Sequence, residues 1–282
     1  MATGTRMAPV SPEKWRPDQV PPFPAVALKA LNLIAGRDTS LLELCNLIRP
    51  DPAFSSEVLR IANSPLVAFS REITNVLQAS MLLGFRRMRS VVVTVGLRAY
   101  MADGFTPLLR SCWRHSVACG IIAERAAKAC ALDKELAYTG GVLHDLGRIV
   151  LAVSMSEEYQ RLVEQGADDA QDFLRAERAR LGIDHCQVGG ILVTEWSLPP
   201  AFLTIATCHH DGKAEAATAD SIVALSCLMA DALGFGPVQY RKPLSYSDIV
   251  ENFPKSAHWL FPPERDLFAE EMSAEIALIE SA

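Results

Sequence analysis

The stretch "GGVLHDLGRIVLA", Gly140 to Ala152, poses the question on which the fold turns. It reads as an apolar helix, yet it carries His144 and Asp145 side by side in its middle. Buried polar groups cost free energy unless something satisfies them. The pair must face water, hold itself together, or hold a metal. Adjacent residues on a helix point about 100° apart, given 3.6 residues per turn. His144 and Asp145 therefore meet only at an ion set into the flank between them, and other helices must complete its shell.

The remaining histidines extend that reading. Of the six in the chain, His115, His144, His185, His209 and His210 lie in one block, and His258 stands apart. Each of the five sits in or beside an apolar helical stretch, and Asp231 follows in "LMADALG". Imidazole suits zinc, iron or nickel, and carboxylate suits magnesium or manganese. Asp145 is placed to bridge two ions, and two ions about 3.5–4 Å apart activate a water and steady a phosphoryl oxygen. Taken singly, each histidine has a plainer role as a core residue bonded to a backbone carbonyl. His209 and His210 also suit the end of a helix, where the dipole favours histidine. The clustering is what points to a metal.

Outward from this block the chain reads as helix throughout. "FPAVALKALNLIAG" has apolar residues near helical spacing and Gly36 as a stop. "TSLLELCNLIRP" opens on a capping Thr or Ser. "DPAFSSEVLRIANSP" has Asp51 at the N-cap and Pro52 at the first helical position. "NVLQASMLLGFRRMRSVVVTVGLRAYM" gives two helical runs around Gly84, and the β-branched run Val91 to Val95 is read as helix from its flanks. "KELAYTGGVLHDLGRIVLAVS" is read as a single helix. Gly140-Gly141 and Gly189-Gly190 are read as points of close helix packing. No hairpin signal and no β/α alternation occurs, so the class is all-α. The expected divisions are a flexible arm over 1–20, a helical lobe over 21–105, a metal-binding lobe over 106–234 and a C-terminal extension over 235–282. That extension ends in an amphipathic helix with Phe268, Met272, Ile276 and Ile279 on one stripe. The stripe is read as docking on its own chain, with a homodimer contact as the alternative.

Composition narrows the function. Half of the 282 residues are hydrophobic, so a packed core is expected. The net charge of −6 argues against nucleic-acid or anionic-membrane binding, and the arginines of "GFRRMRS" read as a solvated helix face. No stretch of about 20 residues is apolar enough to span a bilayer, and the N-terminus has no signal-peptide core. Seven cysteines without CxxC spacing argue against a disulfide framework, so a reduced, cytoplasmic protein is expected.

The order His115, His144-Asp145, His185, His209-His210, Asp231 resembles the HD superfamily of metal-dependent phosphohydrolases. It is similar to the HD-GYP branch, which cleaves cyclic di-GMP. The preceding segments "FPAVALKALNLI", "LCNLIRPDPAFSSEVLRIANSP" and "ITNVLQASMLLGFRRMRSVV" resemble the N-terminal half of the HDOD domain, a bacterial signalling module. Together the resemblance covers roughly Pro21 to Gly234. It implies a two-lobed helical bundle, an HDOD lobe joined to an HD-phosphohydrolase-like lobe. It also implies one ion on His115, His144, Asp145 and Asp231, and a second on Asp145, His185, His209 and His210. The ions would be iron, manganese, zinc or magnesium, one or two in number. Two departures stand out. "HDLGR" places Arg148 where HD-GYP has lysine, and the Gly-Tyr-Pro signature is missing after "HHDG". Arginine clamps a phosphate bidentately where lysine acts as a point charge.

Two functions follow. In one, the protein hydrolyses a phosphate ester, with cyclic dinucleotides as candidates, Asp145 at the metal and Arg148 on the phosphate. In the other, it is a non-catalytic output module that binds a signalling partner and keeps a structural or vestigial site.

Overall fold

The computed structural model describes residues 14–20, 24–35, 40–63, 73–101, 106–211 and 217–281. Gly36, Ser64-Pro65, the loop after "HHDG" and the side chains of Arg86, Arg87 and Arg89 lie outside the described residues. Among those described, the architecture is all-α. The first lobe holds α1 (Ala25–Ala35), α2 (Leu41–Ile48), α3 (Pro52–Ala62) and α4 (Val76–Tyr100). The second holds α5 (Pro107–Ala129), α6 (Lys134–Leu143), α7 (Leu146–Ser154), α8 (Ser156–Gln165), α9 (Ala170–Leu181), α10 (His185–Glu195), α11 (Ala201–Cys208) and α12 (Ala219–Ala232). Then come α13 (Tyr246–Asn252), a 3-10 turn over Lys255–Leu260 and α14 (Arg265–Ser281).

Local chemistry starts these helices where the sequence says. Ser40 caps α2 and forms a reciprocal capping box with Glu43. Asp51 accepts from the backbone N–H of Phe54, with Pro52 at the first position of α3. Gly84 lies inside α4 at φ 73°, ψ 164° and splits it into two runs. That backbone is open to glycine and strained for other residues. The run Val91 to Val95 is helical and buried.

In the first lobe α1, α2 and α3 pack on α4. In the second, α5 is the central helix, flanked by α6 and α12, while α7 and α11 pack on α10. The lobes join where α4 meets α6, and Thr94 Oγ1 lies 2.9 Å from Tyr138 Oη at that seam. Within the segment read as an arm, Trp15 is buried and its backbone N–H donates to Leu181 O at 3.0 Å. Phe268, Met272 and Ile276 of α14 are buried against the chain itself.

One expectation needs correction. The run from Lys134 to Ser154 is two helices, and the break falls on His144 and Asp145. His144 keeps helical angles, but Asp145 departs to φ −104°, ψ 23°. The physical reason is where each half must go. α6 lies along α5, whereas α7 presses on the start of α10. A Cβ on Gly147 would stand 1.9 Å from His185 O and 2.6 Å from Gly189 N, so α7 touches α10 backbone to backbone. The paired residues therefore occupy a corner, not a helix middle.

Candidate metal centre

That corner places Asp145 among imidazoles from three other elements. His115 comes from the middle of α5, His185 opens α10, and His209 and His210 follow the last residue of α11. Asp231 lies near the end of α12. All five histidines and Asp145 are buried, and the Asp231 side chain is 14% exposed. The structure thus gathers all seven residues singled out in the sequence.

The ring nitrogens are oriented, not merely close. His144 Nδ1–H donates to Gly141 O at 2.6 Å. His209 Nδ1–H points at the carbonyls of Ile205 and Ala206, each 3.2 Å away. His185 Nδ1 meets Glu177 Oε2 at 2.7 Å. Each ring is pinned through Nδ1, which turns Nε2 inward, as metal-binding histidines are held. Asp145 Oδ1 lies 3.5 Å from His185 Nε2 and 3.9 Å from His209 Nε2, and it accepts no hydrogen bond.

On the other side of Asp145, His115 Nε2 is 3.2 Å from His144 Nε2. His115 Nδ1 lies 3.3 Å from Asp231 Oδ1, but out of line for a hydrogen bond. A proton on either nitrogen of neutral His115 leaves two acceptors facing each other at the other, unless Asp231 is protonated, a neighbouring thiol donates or a cation intervenes. Burial pushes Asp231 up to about 7, and burial with the neighbouring His144 pushes His115 down to about 3. Burial likewise lowers His144, His209 and His210. Four neutral imidazoles and an orphaned carboxylate oxygen form a donor set that fits a divalent ion.

Two groups of ligand atoms each fall within 4.8 Å of one another: His115, His144 and Cys227, and His185, His209 and His210. Cys227 is an addition to the sequence reading. Its Sγ is 3.5 Å from His115 Nε2, and burial raises the thiol well above its ordinary pKa. The signal was present, since Cys227 precedes Asp231 by one helical turn.

Arg148 has an unexpected position. It is 2% exposed, its Nε donates to Asp145 Oδ2 at 2.5 Å, and Nη2 is 3.2 Å from His185 Nε2. Its guanidinium carbon lies 5.2 Å from the centre of the Phe173 ring. Burial opposes ionisation of Asp145, but Arg148 and then His185 hold its carboxyl well below the usual range. Behind His185, Glu177 accepts from Tyr159 Oη at 2.5 Å and from the backbone N–H of His185 at 3.0 Å. Burial and Arg148 press His185 towards the neutral form, yet Glu177, Cys186 and Asp145 carry it up to about 10.

A cavity of about 340 Å³ opens beside this cage between α9, α12 and the segment before α13. Its lining includes His209, His210 and Asp231 together with Leu225, Leu228 and Tyr240. His210 is buried, and neither of its ring nitrogens has a partner.

Comparison with known proteins agrees with this architecture. Residues 20–212 match the HDOD domain model, so the chain belongs to the HDOD domain family. An HDOD domain protein of unknown function from Geobacter sulfurreducens is 26% identical, with a TM-score of 0.72 over 93% of this chain and 92% of that one. A candidate phosphohydrolase from Shewanella amazonensis shares the fold at 22% identity and a TM-score of 0.67, over 93% of each chain. An uncharacterised protein of Treponema pallidum is 23% identical over 198 residues, which are 70% of this chain. The chain spans 38% of that relative's length. No described helix is long and apolar enough to cross a membrane.

Proposed function

We propose that this chain is a metal-binding HDOD signalling protein, whose buried cage holds a divalent ion and whose neighbouring cavity presents a small ligand to it. The observation that carries the reading is the set of imidazoles pinned through Nδ1, of which His185 and His209 are turned towards the orphaned Oδ1 of Asp145. Asp145 with His185, His209 and His210 on one side, and His115, His144 and Asp231 with Cys227 on the other, are the groups that would hold the ion. When bound, such an ion supplies Lewis-acid stabilisation to a phosphoryl oxygen.

The chain's own groups support a phosphate-ester ligand in the cavity. Its apolar wall, including Leu225 and Leu228, would bury the body of the ligand. His210, buried and unpartnered, would hydrogen-bond its polar end. The volume is near the lower end of the roughly 300–1,000 Å³ typical of small-molecule sites. The candidate phosphohydrolase from Shewanella amazonensis gives the same direction by analogy of fold.

A second reading, a non-catalytic module acting through a protein partner, is favoured by one observation. Arg148 and Asp145 already neutralise each other inside the cage. One experiment separates the two. Elemental analysis of the protein after loading with manganese or iron should give bound metal that is lost in the double variant His144→Ala, Asp145→Ala. A screen of phosphate esters, single-base and cyclic dinucleotides among them, then reads hydrolysis. Metal without turnover supports the second reading, and no metal after loading overturns both forms of the metal proposal.

A further inference from the structure

We infer that Arg148 is a built-in cation that takes the place of one of two cations in the cage, so that the cage takes a single divalent ion. The inference rests on the metal reading above and says how many ions the cage takes.

The cage is divided by Asp145. On one side lie His115, His144, Cys227 and Asp231. On the other lie His185, His209 and His210. A carboxylate that joins two ions offers one oxygen to each. Here Oδ2 is held by Arg148 Nε at 2.5 Å, and only Oδ1, facing His185 and His209, lacks a hydrogen bond and is free for an ion. His185 is committed in the same way. Its Nε2 stands 3.2 Å from Arg148 Nη2. If that nitrogen is bare, it accepts from the guanidinium. If it carries a proton, it has no lone pair for a metal. In both forms it is withdrawn from a second ion.

The guanidinium is seated as a permanent part. It does not lose its proton in proteins. Phe173 lies under it, and the Tyr159–Glu177 pair fixes His185 from behind. A divalent ion among His185, His209 and His210 would face this charge at close range. A second ion added to the cage would meet this resident charge, carried on a side chain that is 2% exposed.

The test is a count of bound Mn²⁺ per chain. The full chain is dialysed to equilibrium against Mn²⁺ and analysed for manganese, and its electron paramagnetic resonance spectrum reports whether ions are coupled. Wild type should bind one equivalent with the spectrum of an isolated ion. Arg148→Met, which removes the charge at similar length, should bind two with a coupled spectrum. Arg148→Lys should stay at one. Arg148→Gln replaces Arg148→Met if circular dichroism shows the latter unfolded. Two equivalents in wild type overturn the inference without any variant. Equal counts in wild type and a folded charge-removed variant also overturn it, while leaving the metal reading intact. No metal in wild type but a gain in Arg148→Met upholds the resident cation and overturns the metal reading. No metal in either overturns both.

Discussion

Glu177 shows how much of the cage depends on a residue that touches no ion position. Its carboxylate receives Tyr159 Oη, the backbone N–H of His185 and His185 Nδ1, with no exposure to solvent. Removing one partner of a buried charged cluster leaves the others unpaired and costs about 3–5 kcal/mol. Glu177→Ala should therefore lose about that much in urea unfolding. Tyr159→Phe leaves the carboxylate two donors and should lose about 1.5–3 kcal/mol, as for one hydrogen bond to a charged group. Asp231 supplies a pH dependence in the metal-free protein. Burial raises its carboxyl from 3.8 to about 7. The folded state holds the proton more tightly, so this stabilisation is complete below the unfolded value. It declines as pH rises through about 7. Unfolding of wild type and Asp231→Asn at pH 4 and pH 7.5 checks this. The variant should lose less stability across that interval than wild type. The sequence shows Asp231 by its place in a motif, but it hides Glu177 within "RAERAR", which reads as a solvated face. Its spacing of four from Phe173 and from Leu181, both buried, is the clue that places it inside.

At the scale of elements, boundaries set by local chemistry were legible and one set by packing was not. Ser40, Asp51 and Gly84 act through their own side chains or backbone freedom, and the structure uses each as the sequence suggests. The corner at His144-Asp145 contains neither Gly nor Pro, so apolar periodicity runs straight across it. Its cause is Gly147, whose role depends on a carbonyl 38 residues later in the chain, His185 O. Two glycine substitutions separate these causes. Gly84→Ala adds a Cβ with nothing within 4 Å, so its cost is backbone strain alone, about 1–3 kcal/mol. Gly147→Ala sets a Cβ against backbone that cannot rotate away. It should cost more than the 1–3 kcal/mol usual for overpacking, or prevent folding. Thermal unfolding of the two variants side by side reads the difference.

For the whole molecule, α14 closes the surface of α5 that the two-lobed bundle leaves bare. Arg125 pairs with Glu271 and Glu275, and Arg114 with Glu280, across this contact. These ions keep contact with solvent, and such pairs contribute roughly 0–1 kcal/mol. Met272 of α14 is fully buried. Arg125→Ala should therefore lower stability by under about 1 kcal/mol, whereas Met272→Ala should lower it by about 2–5 kcal/mol. Chemical denaturation of both variants tests whether apolar burial, not charge, fastens the helix. The amphipathic stripe of α14 announced this docking in the sequence.

The cavity and the cage draw on different parts of the chain. The family match ends at residue 212, just past His210. Six of the seven cage residues precede that limit, and Asp231 alone follows it. The cavity wall is drawn mostly from beyond it, from Ser221 and Leu225 through Tyr240 to Ile249. Substitutions between Ser221 and Ile249 can therefore reshape the cavity wall while leaving six of the seven cage residues unchanged.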